Sequence, residues 1–171
     1  MRTFLSLLLL SLLSPASTVA DWPQFRGPDG QGHSDTKGIP VEWSEGKNVK
    51  WKMPVPGQGF SSPVISGGQI WMTGAENNGK SLHAICLDLA TGNLLHNIEV
   101  ITTDDAGPRH RLNGYASPTP VLDEKYVYVH FGPRGTVCLN NIMYSVYARI
   151  VFICCSSCLR VLRHEIIATI T

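Results

Sequence analysis

The sequence predicts an all-β fold assembled from a repeated unit of short antiparallel strands, on three observations. The 171 residues include 16 Gly and 11 Pro, the punctuation of a turn-rich chain. A strand–turn–strand pattern that begins at Ser62 recurs from Thr119. No segment before residue 142 carries the i, i+3, i+4 apolar spacing of an amphipathic helix. The Gly and Pro are unevenly spread: the last are Gly135 and Pro133, and residues 136–171 hold neither. Composition therefore changes inside the second repeat.

Charge removes several functions. Only 16% of residues are charged, against about 25% in an ordinary soluble domain. A net charge of +1 excludes a nucleic-acid binder that works by neutralising phosphates. With no run of five like charges, the acidic-tail and basic-arm classes are excluded too.

At the amino end, Met1-Arg2-Thr3 is a short basic start, Phe4 to Leu13 is an apolar run, and Ser14-Pro15 breaks it before Thr18-Val19-Ala20. This is the layout of a secretory signal peptide over residues 1–20, cleaved after Ala20. As a helix the apolar run would span only about 15 Å, half of a bilayer core. No Cys follows it to carry a lipid anchor. The reading places the mature chain, starting at Asp21, in the periplasm or outside the cell, where disulfides are permitted.

The repeat comes next. SPVISGGQIWMTG from Ser62 and TPVLDEKYVYVHFG from Thr119 share a small residue, Pro, an apolar pair, a Gly/Asp turn and an alternating strand. Each leads to a second strand, Leu82 to Asp88 and Gly135 to Asn140, with Cys86 and Cys138 at matching places. In the first copy, Asp88-Leu89-Ala90-Thr91-Gly92 reads as a tight hairpin. Asp88 accepts backbone N–H groups, Gly92 takes a positive φ, and a strand follows over Asn93 to Val100. Units of three or four strands roughly 40 to 57 residues apart have the spacing of propeller blades. The expectation is a partial β-propeller of about two four-stranded antiparallel blades over residues 21–141.

Three segments carry a resemblance: DWPQFRGP at Asp21 to Pro28, NVKWKMPVPGQGFSSPV at Asn48 to Val64, and LDLATGNLL at Leu87 to Leu95. They resemble the pyrroloquinoline-quinone-like (PQQ-like) repeat β-propellers, in particular secreted bacterial ones related to the outer-membrane assembly propeller and to quinoprotein alcohol dehydrogenases. That family's blade signature is Ala-x-Asp-x-x-Thr-Gly-x-x-x-Trp, its Trp packing between neighbouring blades. Asp88, Thr91 and Gly92 match it, while Cys86 stands for the Ala and His96 for the Trp. Trp51, read as lying in a strand before the first full blade, looks like the equivalent docking residue of a ring-closing blade. The resemblance implies a ring of about seven or eight blades, of which this chain carries the amino-terminal portion.

After Asn141 the repeat is due a Thr-Gly turn and does not reach one. Residues 142–171 read as an atypical tail, from a frameshift or a mis-joined gene end. Two other readings stay open. A membrane anchor over residues 142–159 would bury Arg149 at about 2.5 to 3.5 kcal/mol, and a strand or helix in the fold is the third. An open propeller fragment exposes the flank of its last blade, so association with further blades is expected.

The chemistry read from the residues is sparse. Cys154, Cys155 and Cys158 lack the fourth ligand of a zinc site at the right spacing. Gly57-x-Gly59 and Gly27-x-x-Gly30-x-Gly32 precede no helix and read as turns, not phosphate loops. Asp29 and Asp35 lack the spacing of a calcium loop. Cys86 and Cys138, at matching positions of adjacent blades, are expected buried and without a mutual disulfide. The polar stretch Asp104 to Tyr115 is the candidate ligand loop, with Arg109, His110, Arg111 and Asn113 placed to line a funnel for an anionic or peptide ligand. No catalytic, cofactor-binding or metal-ligating residue is named. The functional expectation is an exported binding or scaffold protein that meets protein partners through loops and blade edges. The alternative is part of a quinone-dependent alcohol dehydrogenase. By the resemblance, that enzyme would hold PQQ and calcium through later blades and need an adjacent Cys pair, of which only Cys154-Cys155 is present.

Overall fold

The computed structural model describes residues 21–140 and 149–151. The segment read as a signal peptide, the Cys154-Cys155 pair and most of the tail lie outside them. Eight strands form two antiparallel sheets. Sheet 1 contains β1 (Val64–Ser66), β2 (Gln69–Glu76), β3 (Ser81–Asp88) and β4 (Leu94–Thr102), in sequence order. Sheet 2 repeats that order with β5 (Val121–Leu122), β6 (Tyr126–His130), β7 (Thr136–Asn140) and β8 (Arg149–Val151). Among the described residues the only helical pieces are two 3₁₀ turns, Asn77–Gly79 and Gly132–Arg134. The fold is all-β, two open four-stranded blades of propeller type.

The repeat holds at the level of pairing. Val64 faces Trp71 as Val121 faces Tyr128, and Trp71 faces Cys86 as Tyr128 faces Cys138. Ser62 and Thr119, 57 residues apart, touch each other: the Ser62 N–H donates to the Thr119 hydroxyl at 3.1 Å. The copies use different turn chemistry. Gly67 and Gly68, both at positive φ, join β1 to β2. In sheet 2 the Asp123 carboxylate does that work, accepting the N–H groups of Lys125 and Tyr126 at 2.8 and 2.7 Å. The expected hairpin after β3 forms as read: Asp88 accepts the Thr91 N–H and hydroxyl, each at 2.7 Å, and Gly92 sits at φ 76°.

Packing follows from alternation along the strands. Val64, Trp71, Ala75, Leu82, Ala84 and Cys86 turn one face of sheet 1 onto Leu122, Val127, Val129, Phe131, Val137 and Leu139 of sheet 2, the main core. His96 stacks on Trp71 with ring centroids 6.3 Å apart. On the far face of sheet 1, Ile70, Ile85 and Leu87 are covered by Trp51 and Met53. Trp51 docks over the β3–β4 turn: its indole N–H donates to the Leu89 carbonyl at 3.1 Å. Its ring lies so close that a Cβ on Gly92 would come within 2.5 Å. The segment around Trp51 is not a strand. It is held by this side-chain contact instead of a ladder.

The amino-terminal motif is a clasp. Trp22 pairs with Ile65 through two backbone bonds of 2.7 and 2.8 Å, while the Pro23 carbonyl accepts the Leu122 N–H at 2.8 Å. Asp21 adds bonds from the Ser66 hydroxyl and the Gly67 N–H. Residues 21–23 thereby tie the first strands of both sheets. At the other end, the backbone of Arg149–Val151 pairs along Thr136–Cys138 as β8. Part of the segment read as an atypical tail therefore completes sheet 2, since an unpaired β7 edge would leave a row of N–H and C=O groups without partners.

Candidate functional site

A cleft of about 830 Å³ opens beside the β2–β3 hairpin. Three pieces of chain build it. Residues 57–60 run alongside the end of β2, where Gln58 and Ala75 exchange backbone bonds of 2.9 and 2.8 Å, and the Phe60 N–H donates to the Ala116 carbonyl at 2.8 Å. A Cβ on Gly59 would lie 2.6 Å from the Thr73 carbonyl oxygen and 2.9 Å from that of Ala116. Only glycine fits where this segment passes between the sheets.

The second wall is the hairpin tip. Asn77, Asn78 and Gly79 are all left-handed, at φ 50°, 56° and 85°. Asn tolerates this conformation better than most residues, and such backbone clusters at functional sites. The third wall is the loop that the sequence singled out. It contributes Arg109 and Asn113, while His110 and Arg111 are not among the residues lining the cleft. Arg109 is also committed elsewhere: it donates to the Asn113 carbonyl at 2.7 Å and its guanidinium carbon lies 5.3 Å from the centre of the Tyr115 ring. Arg134 stacks on the same ring at 5.3 Å, and the Tyr115 hydroxyl donates to the Gly107 carbonyl. With Glu76 also in the lining, the cleft takes Arg109 and Asn113 from the four residues read as a funnel and holds one charged side chain of each sign.

Phe60, Asn77 and Asn78 were missed in the sequence reading. A signal existed. At the offset that relates Val64 to Val121, Gly57-Gln58-Gly59 corresponds to Gly114-Tyr115-Ala116, so the repeat begins earlier than Ser62. Both segments meet at this cleft.

A second polar cluster lies on β3 and β4. The Ser81 hydroxyl bonds His83 Nε2 at 2.6 Å and donates to the Glu99 carboxylate. The Ser81 hydrogen bond first, with one from Thr102 and the nearby His83 adding to it, holds the Glu99 carboxyl below its ordinary range. The trio is not an acyl-transfer triad, because the carboxylate bonds the serine and not the second imidazole nitrogen. His83 Nδ1 is buried without a hydrogen-bond partner among the described residues. Cys86 and Cys138 are both buried and neither forms a disulfide. Burial, with Asp88 adding to it, pushes the Cys86 thiol up to about 12.

Among the described residues, no three His, Cys, Asp or Glu side chains gather as a metal site. Fold and cleft together define a class: an open, propeller-type β protein with a ligand-sized cleft at the junction of its sheets. No protein-family model matches the chain, and no curated protein matches it.

Proposed function

We propose that the chain is the amino-terminal, two-blade portion of an exported propeller-type binding or scaffold protein. It has no catalytic activity of its own and presents loops and blade edges to protein partners. One observation carries the reading. The face of sheet 1 built from Val64 and Trp71 is buried, at 0% and 2% exposure, under sheet 2. Its equivalent on sheet 2, Val121 and Tyr128, is 44% and 37% exposed, beside Tyr126 at 38%. A docking face repeated in register and left open suits a further sheet, supplied by later blades or by a partner. The motifs at Asp21–Pro28 and Leu87–Leu95 support the PQQ-like affiliation, and residues 1–20 support export to the periplasm or beyond.

The test is sedimentation of the purified full chain. Self-association is expected, and a Val121→Lys/Tyr128→Lys double variant should relieve it. A monomeric wild-type chain with a sharp cooperative thermal transition would overturn the reading. The affiliation has its own check: genomic DNA past the Asn141 codon should encode further Asp-x-x-Thr-Gly-x-x-x-Trp blades in another frame.

A further inference from the structure

We infer that the cleft beside the β2–β3 hairpin is a binding site for a neutral saccharide. Its volume, about 830 Å³, falls in the range of roughly 300–1,000 Å³ typical of small-ligand sites. Four side chains on its walls, Gln58, Glu76, Asn77 and Asn78, make no hydrogen bond or ion pair with any described residue. All four end in planar groups that offer two polar atoms side by side, the spacing at which neighbouring sugar hydroxyls can be held in pairs. Between them Phe60 stands 69% exposed. Glycines 57, 59 and 114 share the lining, and the Phe60 ring packs so close to Gly114 that a Cβ there would lie 3.0 Å away. One flat apolar ring among unpartnered planar amides matches a pyranose, which has an apolar C–H face and a rim of hydroxyls.

Charge and backbone accounting exclude the other ligand classes that this cleft suggests. An anionic ligand would meet Glu76, and the one lining guanidinium, Arg109, is already held by the Asn113 carbonyl and the Tyr115 ring. A peptide binding by strand addition needs free backbone groups. Here Gln58 and Ala75 bond each other and the Phe60 N–H bonds Ala116. The left-handed backbone at Asn77 and Asn78 sets the direction in which their Cα–Cβ bonds leave the hairpin tip.

The test uses the full chain, titrated by calorimetry with cellohexaose, chitohexaose, maltohexaose and xylohexaose in turn. At least one should bind saturably, with Kd between about 10 μM and 1 mM. Phe60→Ala should weaken that binding at least tenfold, and Phe60→Trp should restore it. Because Phe60 is mostly exposed, neither change threatens the fold, and circular dichroism confirms that. Amide NMR shifts at Asn77 and Asn78 should move with the sugar. No binding by any of the four sugars up to 10 mM, or equal affinity in wild type and Phe60→Ala, overturns the inference. Capture of peptides from a display library with no sugar binding would overturn it too, while leaving the binding-protein reading intact.

Discussion

Sheet 1 and sheet 2 carry the same register, and the same position does different work in each. Trp71 and Tyr128 both oppose a valine on the first strand and a cysteine on the third. Trp71 is 2% exposed and stacks on His96; Tyr128 is 37% exposed and reaches back through its hydroxyl to Asp123 at 2.9 Å. Sheet 1 is covered on both faces, by sheet 2 on one and by Trp51 and Met53 on the other. A repeated unit is thus stabilised less by its own strands than by what stacks on it, as in other repeat architectures.

Substitution at the paired positions is the most direct way to break this comparison. Trp71→Ala should cost about 3–5 kcal/mol, as expected for a buried tryptophan. Tyr128→Ala should cost below about 1 kcal/mol, the ordinary range for a partly exposed site. Urea denaturation of the chain diluted until it is monomeric measures both, and equal losses would mean that the outer face of sheet 2 is covered within the single chain. Two glycines give a smaller contrast. Gly92→Ala combines a left-handed backbone with a clash against Trp51 and should cost about 2–3 kcal/mol. Gly132→Ala, at φ 60° with open space around it, should cost only the backbone part, about 1 kcal/mol.

Acid should test the turns. Asp88 is held below the ordinary carboxylate range first by the Thr91 hydroxyl, and Asp123 first by the Lys125 N–H. Both favour the folded state when ionised. Their contribution is present above pH 3.8 and lost as pH falls through the lower folded value. Asp88→Asn and Asp123→Asn should flatten that acid limb in melting curves recorded from pH 5 to pH 2; an unchanged slope would remove the turns from the account. The smallest effect is alkaline. With the Cys86 thiol raised from 9.0 to about 12, stability is full below pH 9 and declines as pH rises towards 12. Cys86→Ala should remove the part of that decline that begins at pH 9, leaving the part from Tyr128, which its hydrogen bond to Asp123 raises from 10.0 to about 12, without changing the neutral-pH fold.

Much of the architecture was legible because strand alternation and turn chemistry are local. The β2 and β6 strands, the Asp88–Gly92 turn and the matched cysteines all came from windows of a few residues. The docking of Trp51 was legible only through family resemblance, since its partners Leu89 and Gly92 lie far along the chain. The pairing of β8 was not legible: a short apolar run has no period that separates strand from helix. The cleft was half legible. A long polar loop drew attention to Arg109 and Asn113, but nothing local distinguishes Asn77-Asn78 from any solvated hairpin tip. His110 and Arg111 are not among the residues lining the cleft, because polarity along a loop does not tell which of its side chains meet a given surface.

The clasp at residues 21–23 has a consequence for the order of events during synthesis. Trp22 and Pro23 emerge early, yet their partners Ile65 and Leu122 follow much later. Contacts so distant in sequence must bear the entropy of closing a long loop before they return any stability. The clasp is therefore complete only once the first strand of the second sheet has been made.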